Sequence, residues 1–385
     1  MSTVDEPMRS LSRSSSGIGF GVGAALITGA SLGNLGANLM PVLLPGVANR
    51  FHLSNASAGM VATLQLLATA LAALIVAPRA ARSGRPRVAT LGLAATVAGF
   101  VAAAAAPDLA VLALGNIVAG VGLGIGYAAA MAAITATRDT DRASVVAVVG
   151  GTIVIAVLVI ALPEANAAWG GAAGFAVLAA CCLPAFWLVR ALPDSVEPDR
   201  ATGSAVSVPV VFLLAVALLG AADQGAWSYS AVLGERYAGM STDAVSVVLA
   251  IASITSLAGV GLSAMAAGKF GRLPTIAVLT AVEGGAKLVI AADPSPLSYG
   301  GAAIVWQVCF MGLLVQVLAV AAAADPSGRW VAAASGALAI GTGLGPAPAG
   351  WLLDSFGAPT FGLVLALATG VAAVPLLRAI RPICQ

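Results

Sequence analysis

Charge is what this sequence has least of. Of its 385 residues only 9% are Asp, Glu, Lys or Arg, against about 25% in an ordinary soluble domain. A chain so poor in charge cannot cover its surface with groups that water solvates well, and lipid is the solvent that remains. There is one histidine, His52, so a zinc site built on several histidines is excluded. The four cysteines are Cys181, Cys182, Cys309 and Cys384. No pair of them has metal-ligand spacing, and they read as small apolar packing residues. No G-x-x-x-x-G-K-[ST] loop is present, which disfavours ATP-driven transport. No metal-ligand set, nucleophile–histidine pair or carboxylate-rich motif speaks for an enzyme, and no cofactor or metal is expected. The net charge of +2 is too small to point to a partner, and no nucleic acid is expected.

What the chain has is length of apolar run: it is 60% hydrophobic, with a mean hydropathy of +1.01. Uncharged stretches recur at 17–49, 54–78, 88–107, 109–137, 143–163 and 165–189. Six more apolar segments follow at 207–234, 244–268, 273–292, 294–324, 330–353 and 355–377, of which the first holds Asp223 and the third Glu283 and Lys287. Crossing a hydrocarbon core takes about 20 helical residues. Backbone groups in lipid must pair within their own segment, so these are helices; a barrel would show alternating segments of about 10 residues. The first run is too long for a signal-peptide core and is expected to stay as a helix. The reading is an all-α membrane protein with twelve transmembrane helices in two six-helix pseudo-repeats. Residues 1–16 form a disordered cytoplasmic tail, 17–192 the first bundle, 193–206 a cytoplasmic linker, 207–380 the second bundle and 381–385 a cytoplasmic tail.

Topology follows from the loops. With the N-terminus cytoplasmic, fifteen of the 18 Lys and Arg residues fall on the cytoplasmic side. Only Arg50 and Arg236 fall outside, and Lys287 lies within a helix. This bias obeys the positive-inside rule and places both termini in the cytoplasm of a multi-pass protein of the plasma or inner membrane. The halves also align in one register. Ser54 matches Ser241, Arg82 matches Lys269 and Arg142 matches Arg329, each 187 positions apart. Two parallel six-helix repeats are the arrangement expected of halves that rock about a central site.

The loop after the second helix, Arg82-Ser83-Gly84-Arg85-Pro86-Arg87, resembles the end of a loop signature of the major facilitator superfamily, G-x-x-x-D-R-x-G-R-R. Lys269-Phe270-Gly271-Arg272 is similar to its second-half copy. Gly345-Pro346-Ala347-Pro348-Ala349-Gly350-Trp351-Leu352-Leu353-Asp354 is similar to the end of that family's helix eleven, and Trp169-Gly170-Gly171-Ala172-Ala173-Gly174-Phe175 resembles the approach to its helix six. The resemblance covers the whole chain. It implies the twelve-helix fold, a conformational gating role for Arg82, Gly84, Arg85, Lys269, Gly271 and Arg272, and helices one and seven lining a central cavity. The signature Asp is Ala81 here, with Gly268 as its second-half equivalent. Asn116 stands where proton-coupled members often carry an Arg in helix four. Gly150-Gly151-Thr152 lacks the proline of the drug–proton antiporter signature.

Charges inside a bilayer are costly, about 2.5–3.5 kcal/mol on insertion scales, and so mark function. Asp223, with Gln224, Trp227 and Tyr229 near it and no cation in its own segment, is the leading candidate for a proton or substrate role; the alternative is a polar group near the helix end. Glu283 and Lys287 are one helical turn apart in the favourable order and read first as a structural pair, with a functional version in which one partner is released. Asn34 and Asn38 on helix one, Gln65 on helix two, and Trp306 and Gln307 on helix ten would complete a neutral polar cavity beside Asp223. Their other reading is interhelical packing. The glycines Gly120, Gly122, Gly124 and Gly126, like Gly341, Gly343 and Gly345, are read as close helix contacts.

The expected function is secondary active transport of a small organic molecule by alternating access, foremost as proton-coupled efflux by a monomer. Uptake of a small metabolite, proton-coupled or passive, is the alternative, and a polytopic membrane enzyme a remote one. The expected partners are the small-molecule substrate, protons and the lipid bilayer.

Overall fold

The structure, a computed structural model, describes residues 18–194, 207–325 and 327–380. The two tails, and all of the linker but Pro193 and Asp194, lie outside the described residues. Those residues are almost wholly helical, with no strand among them. In chain order the helices are α1 (Phe20–Phe51), α2 (Asn55–Ala80), α3 (Arg85–Ala105), α4 (Leu109–Thr135) and α5 (Thr140–Trp169). Then come α6 (Ala173–Cys182, extended by turns at Ala185–Leu188 and Val189–Ala191) and α7 (Val210–Ser228, continued by Ser230–Val232 and a π turn at Leu233–Tyr237). They are followed by α8 (Thr242–Phe270), α9 (Arg272–Ala292) and α10 (Pro296–Ala324).

The last stretch, Arg329–Ala379, is apolar over 51 residues. As one helix it would run about 77 Å, more than twice a hydrocarbon core. It is not one helix. Gly357 has φ 75° and ψ 176°, a conformation open to glycine and strained for any side chain. The chain folds back there, because Trp330 and Leu376, near opposite ends of the stretch, share one core cluster with Phe212. We therefore separate α11 (Arg329–Leu344 and 346–356) from α12 (358–380). The turn comes at Gly357 and not between 353 and 355, where the charge at Asp354 had placed it.

The repeat is written into the backbone. His52, Gly84 and Gly170 have left-handed φ values, and so do Gly239, Gly271 and Gly357. Each pair is 187 positions apart. Helix caps keep the same register: Ser54 accepts from Ser57 N at the start of α2, and Ser241 from Ala244 N at the start of α8. Such caps satisfy N–H groups that a helix start leaves without partners. The Gly170–Gly357 match also identifies the break in the last stretch as the copy of the α5–α6 turn.

Packing within each half relies on small residues, as lipid-embedded bundles require. A Cβ on Gly122 would collide with Gly92 O and Thr96 N of α3, and one on Gly341 with Ala217 O of α7. Outward faces carry exposed aliphatic side chains such as Leu91, Leu114, Ile153, Leu214 and Met265. Trp169, Trp187, Trp351 and Phe356 stand exposed near helix ends, in the position of interfacial aromatic belts. The chain is a multi-pass membrane protein.

The helix ends define an arginine-rich face, where α2 meets α3, and an arginine-poor face, where α1 meets α2. Among the described residues, hydrogen bonds between the halves gather toward the arginine-poor face. The Asp354 carboxylate at the end of α11 accepts from Asn55 Nδ2 (2.7 Å) and Ala56 N (2.8 Å) at the start of α2. There it meets the positive end of a helix dipole. The Tyr229 hydroxyl reaches Asn55 O (2.8 Å) and Pro346 O (3.0 Å), and Ala347 N donates to Thr63 Oγ1 (3.1 Å).

Candidate functional site

Three charged side chains of the second half meet inside the protein. Lys287 Nζ lies 2.5 Å from Glu283 Oε1 on its own helix α9. It also lies 3.5 Å from Asp223 Oδ1 on α7 and donates to Thr369 Oγ1 of α12 at 3.2 Å. Trp306 Nε1, from α10, donates to the same Asp223 oxygen at 2.6 Å, and the Lys287 ammonium lies 5.6 Å from the centre of the Trp306 ring. The Glu283 and Lys287 side chains are fully buried and that of Asp223 nearly so. Four helices thus converge on one ammonium flanked by two carboxylates. The second oxygen of Glu283 is buried with no partner among the described residues.

The i, i+4 spacing of Glu283 and Lys287 was legible, but the third member was not. Asp223 has no cation within two turns of it on its own helix, and its cation comes from α9. Thr369 gave no signal at all, being one hydroxyl in an apolar run.

One turn of α7 joins this cluster to the other half. Gln224 Nε2 donates to Ala37 O of α1 (3.0 Å) and to Ser228 Oγ (3.2 Å). The α1 carbonyl is available for a simple reason. Its usual partner would be the N–H four residues on, and that residue is Pro41, which has none. Trp227 Nε1 donates to the next carbonyl, Asn38 O, at 3.1 Å. Its ring packs edge-on against Trp306, with centroids 5.8 Å apart. So α7 presents Asp223 to the second half, and Gln224 and Trp227 to the first.

The remaining candidates stand apart from the cluster. Asn34 Nδ2 donates to Ala30 O (2.9 Å) and Asn38 Nδ2 to Asn34 O (3.0 Å), both back along α1. Asn34 is nevertheless exposed. Gln65 is buried beside Gly36, and its Nε2 has no partner among the described residues. Gln307 is half-buried on α10. Asn116 is buried and bonds its own helix at Leu112 O.

The two loops expected to gate differ from each other. Arg85 is buried and donates to Ala80 O (2.8 Å), Ala81 O (3.0 Å) and Pro193 O (3.2 Å). Asp194, at the end of α6, accepts from Gly84 N (2.8 Å) and Arg85 N (2.9 Å). A carboxylate from α6 therefore caps α3, in a loop whose own signature carboxylate is replaced by Ala81. Arg82 is exposed. In the second copy Lys269 and Gly271 are exposed, Arg272 is half-buried, and the Lys269 ammonium lies 5.2 Å from the centre of the Phe270 ring. No group of His, Cys, Asp and Glu suited to a metal ion occurs among the described residues.

A family profile described as Major Facilitator Superfamily matches residues 21–327. No curated protein sequence matches the chain. Several solved structures share its fold. A bacterial homologue of the human lysosomal transporter Spinster, in an inward-facing and unoccupied conformation, superposes with a TM-score of 0.72 at 17% identity, covering 94% of this chain and 96% of its own. A D-xylose–proton symporter gives 0.72 at 14% identity, covering 93% and 97%. A nucleoside transporter gives 0.72 at 14%, covering 95% and 100%.

Proposed function

The chain belongs to the major facilitator superfamily, and from that membership we propose that it exports a small organic molecule in exchange for protons bound at the Asp223–Lys287–Glu283 cluster. One observation carries the proton coupling. Two carboxylates and one ammonium, all buried, sum to a charge of −1 when all are ionised. A buried net charge is far more costly than a neutral, hydrogen-bonded group. One proton makes the cluster neutral, and the unpartnered Glu283 oxygen is a place for it. Asp223 is the member that α7 links to the other half, so it is the residue through which proton binding and rocking of the halves would be coupled. The substrate would pass between the halves, with Asn34, Asn38, Gln65 and Gln307 as the polar groups of its path. The arginine-rich face is cytoplasmic in this reading, and the membrane is the plasma or inner membrane.

The test is flux in proteoliposomes. Labelled amphipathic cations and neutral solutes are offered with and without a pH gradient, in the wild type and in Asp223→Asn. Gradient-driven movement should disappear in the variant while exchange of substrate for substrate persists. Full gradient-driven movement in Asp223→Asn would remove the assignment. Substrate moving with the protons instead of against them would turn export into uptake.

A further inference from the structure

Away from the charged cluster, on the arginine-poor face, the halves part between α1 and α5 on one side and α7 and α8 on the other. The cavity there holds about 400 Å³, within the range of small-molecule sites, about 300–1,000 Å³. Three prolines, Pro41, Pro45 and Pro163, contribute to its apolar wall, and Asn166 of α5 and Ser246 of α8 are among its polar lining.

Two charged residues line it, Arg50 and Glu235, and they are not equivalent. Arg50 is engaged elsewhere: its guanidinium donates to Ala103 O (3.1 Å) and Ala106 O (2.6 Å). These carbonyls sit at the C-terminal end of α3, the negative end of its dipole, which offsets the charge. Glu235 is half-buried and has neither ion pair nor hydrogen bond among the described residues. Arg236, next in the chain, is exposed and joins Glu235 only in a separate recess of about 40 Å³. Glu235 also sits in the π turn Leu233–Tyr237, a feature often found at functional sites. The cavity thus offers one carboxylate with no ion-pair or hydrogen-bond partner among the described residues, neutral hydrogen-bonding groups and an apolar wall.

We propose that this cavity binds a small organic ammonium ion, with Glu235 as the anchoring carboxylate. That the site faces outward and handles cargo rests on the transport reading above; the binding itself does not.

Binding of benzylammonium, whose N–H groups can donate to a carboxylate, to the full chain in lipid nanodiscs tests it, with benzenesulfonate as the anionic control. The cation should bind saturably and the anion should not. Glu235→Gln should weaken the cation about ten-fold, the weight of one charge-assisted contact. Glu235→Asp should keep most of the affinity, and Asp293→Asn should leave it within about two-fold, since Asp293 is an exposed carboxylate between α9 and α10 that does not line this cavity. Wild-type affinity in Glu235→Gln, equal binding of the anion, or a loss in Asp293→Asn as large as that in Glu235→Gln would each overturn the site. Should Glu235→Gln fail to fold, Ala167→Trp, at an exposed position on the opposite wall, α5, fills the cavity and must abolish binding; unchanged binding there also overturns it. A chain that still exchanges substrate for protons but fails these tests would refute this site alone.

Discussion

Replacing Lys287 by Met should damage the fold far more than replacing either carboxylate beside it, because the cluster is a matter of charge counting. The wild-type groups sum to −1 when ionised. Asp223→Asn leaves the Glu283–Lys287 pair at 2.5 Å, neutral as a unit, and Asn keeps an oxygen to accept from Trp306 Nε1. Its cost is that of a weakened hydrogen bond, about 0.5–1.5 kcal/mol. Lys287→Met strands two carboxylates in a site with no other cation among the described residues, and breaking a buried pair from one side costs about 3–5 kcal/mol. Adding Asp223→Asn to Lys287→Met removes one of the stranded charges, so the second substitution should restore stability. Thermal unfolding in detergent, followed by thiol modification of the buried Cys182 and Cys309, measures all four proteins. The reasoning fails if Asp223→Asn is as harmful as Lys287→Met, or if the double variant is less stable than Lys287→Met alone.

Three further outcomes are expected. Asp354→Ala removes the carboxylate that holds the start of α2, worth about 1–2 kcal/mol; pulsed-EPR distances between labels at Leu53 and Phe356 should then broaden and lengthen, and an unchanged distribution counts against a clasp. Gln224→Ala strands the Ala37 carbonyl at a cost of about 1–3 kcal/mol, and adding Pro41→Ala, which restores an N–H to α1, should recover part of it; a double variant worse than the single contradicts that account. Hydrogen bonds from the Ser327 hydroxyl, then from the Ser327, Trp330 and Arg329 N–H groups, hold the Asp325 carboxyl below its ordinary range. Asp325 therefore adds stability that is fully present above its unfolded pKa of about 3.9 and is lost as pH falls through the lower folded value. The stability gap between wild type and Asp325→Ala should hold above about pH 5 and close in stronger acid, and a gap that widens with acid refutes this.

The fold was legible because lipid imposes a simple grammar: uncharged runs of fixed length, with arginines sorted to one face. The break at Gly357 was misplaced by a few residues because Asp354 looks like a chain leaving the membrane, whereas that carboxylate is spent on the start of α2. The register of the repeat held the better signal, since Gly357 is the partner of Gly170. At the site, each buried charge was visible singly, because charge is rare in these helices. Their meeting was not, since it depends on α7, α9, α10 and α12 being neighbours, and helix adjacency is not written in hydropathy. Nor could spacing show that Asp194, after α6, supplies the carboxylate that the α2–α3 loop lacks.

The same register exposes an asymmetry. Moved back by 187 positions, Asp223, Glu283, Lys287 and Trp306 fall on Gly36, Thr96, Phe100 and Ala119. The first half therefore repeats the scaffold without the charge, and beside Gln224 and Trp227 its contribution is backbone: the carbonyls of Ala37 and Asn38. In the proposed exchange, a cluster confined to one half would respond to a proton within that half first. The response has to cross to the other half to move anything, and beside Asp223 the α7 side chains positioned to carry it are Gln224 and Trp227. Pro41 gives that crossing its leverage. By removing one N–H from α1, it makes the first half depend on a side chain of the second for a hydrogen bond its own helix cannot supply.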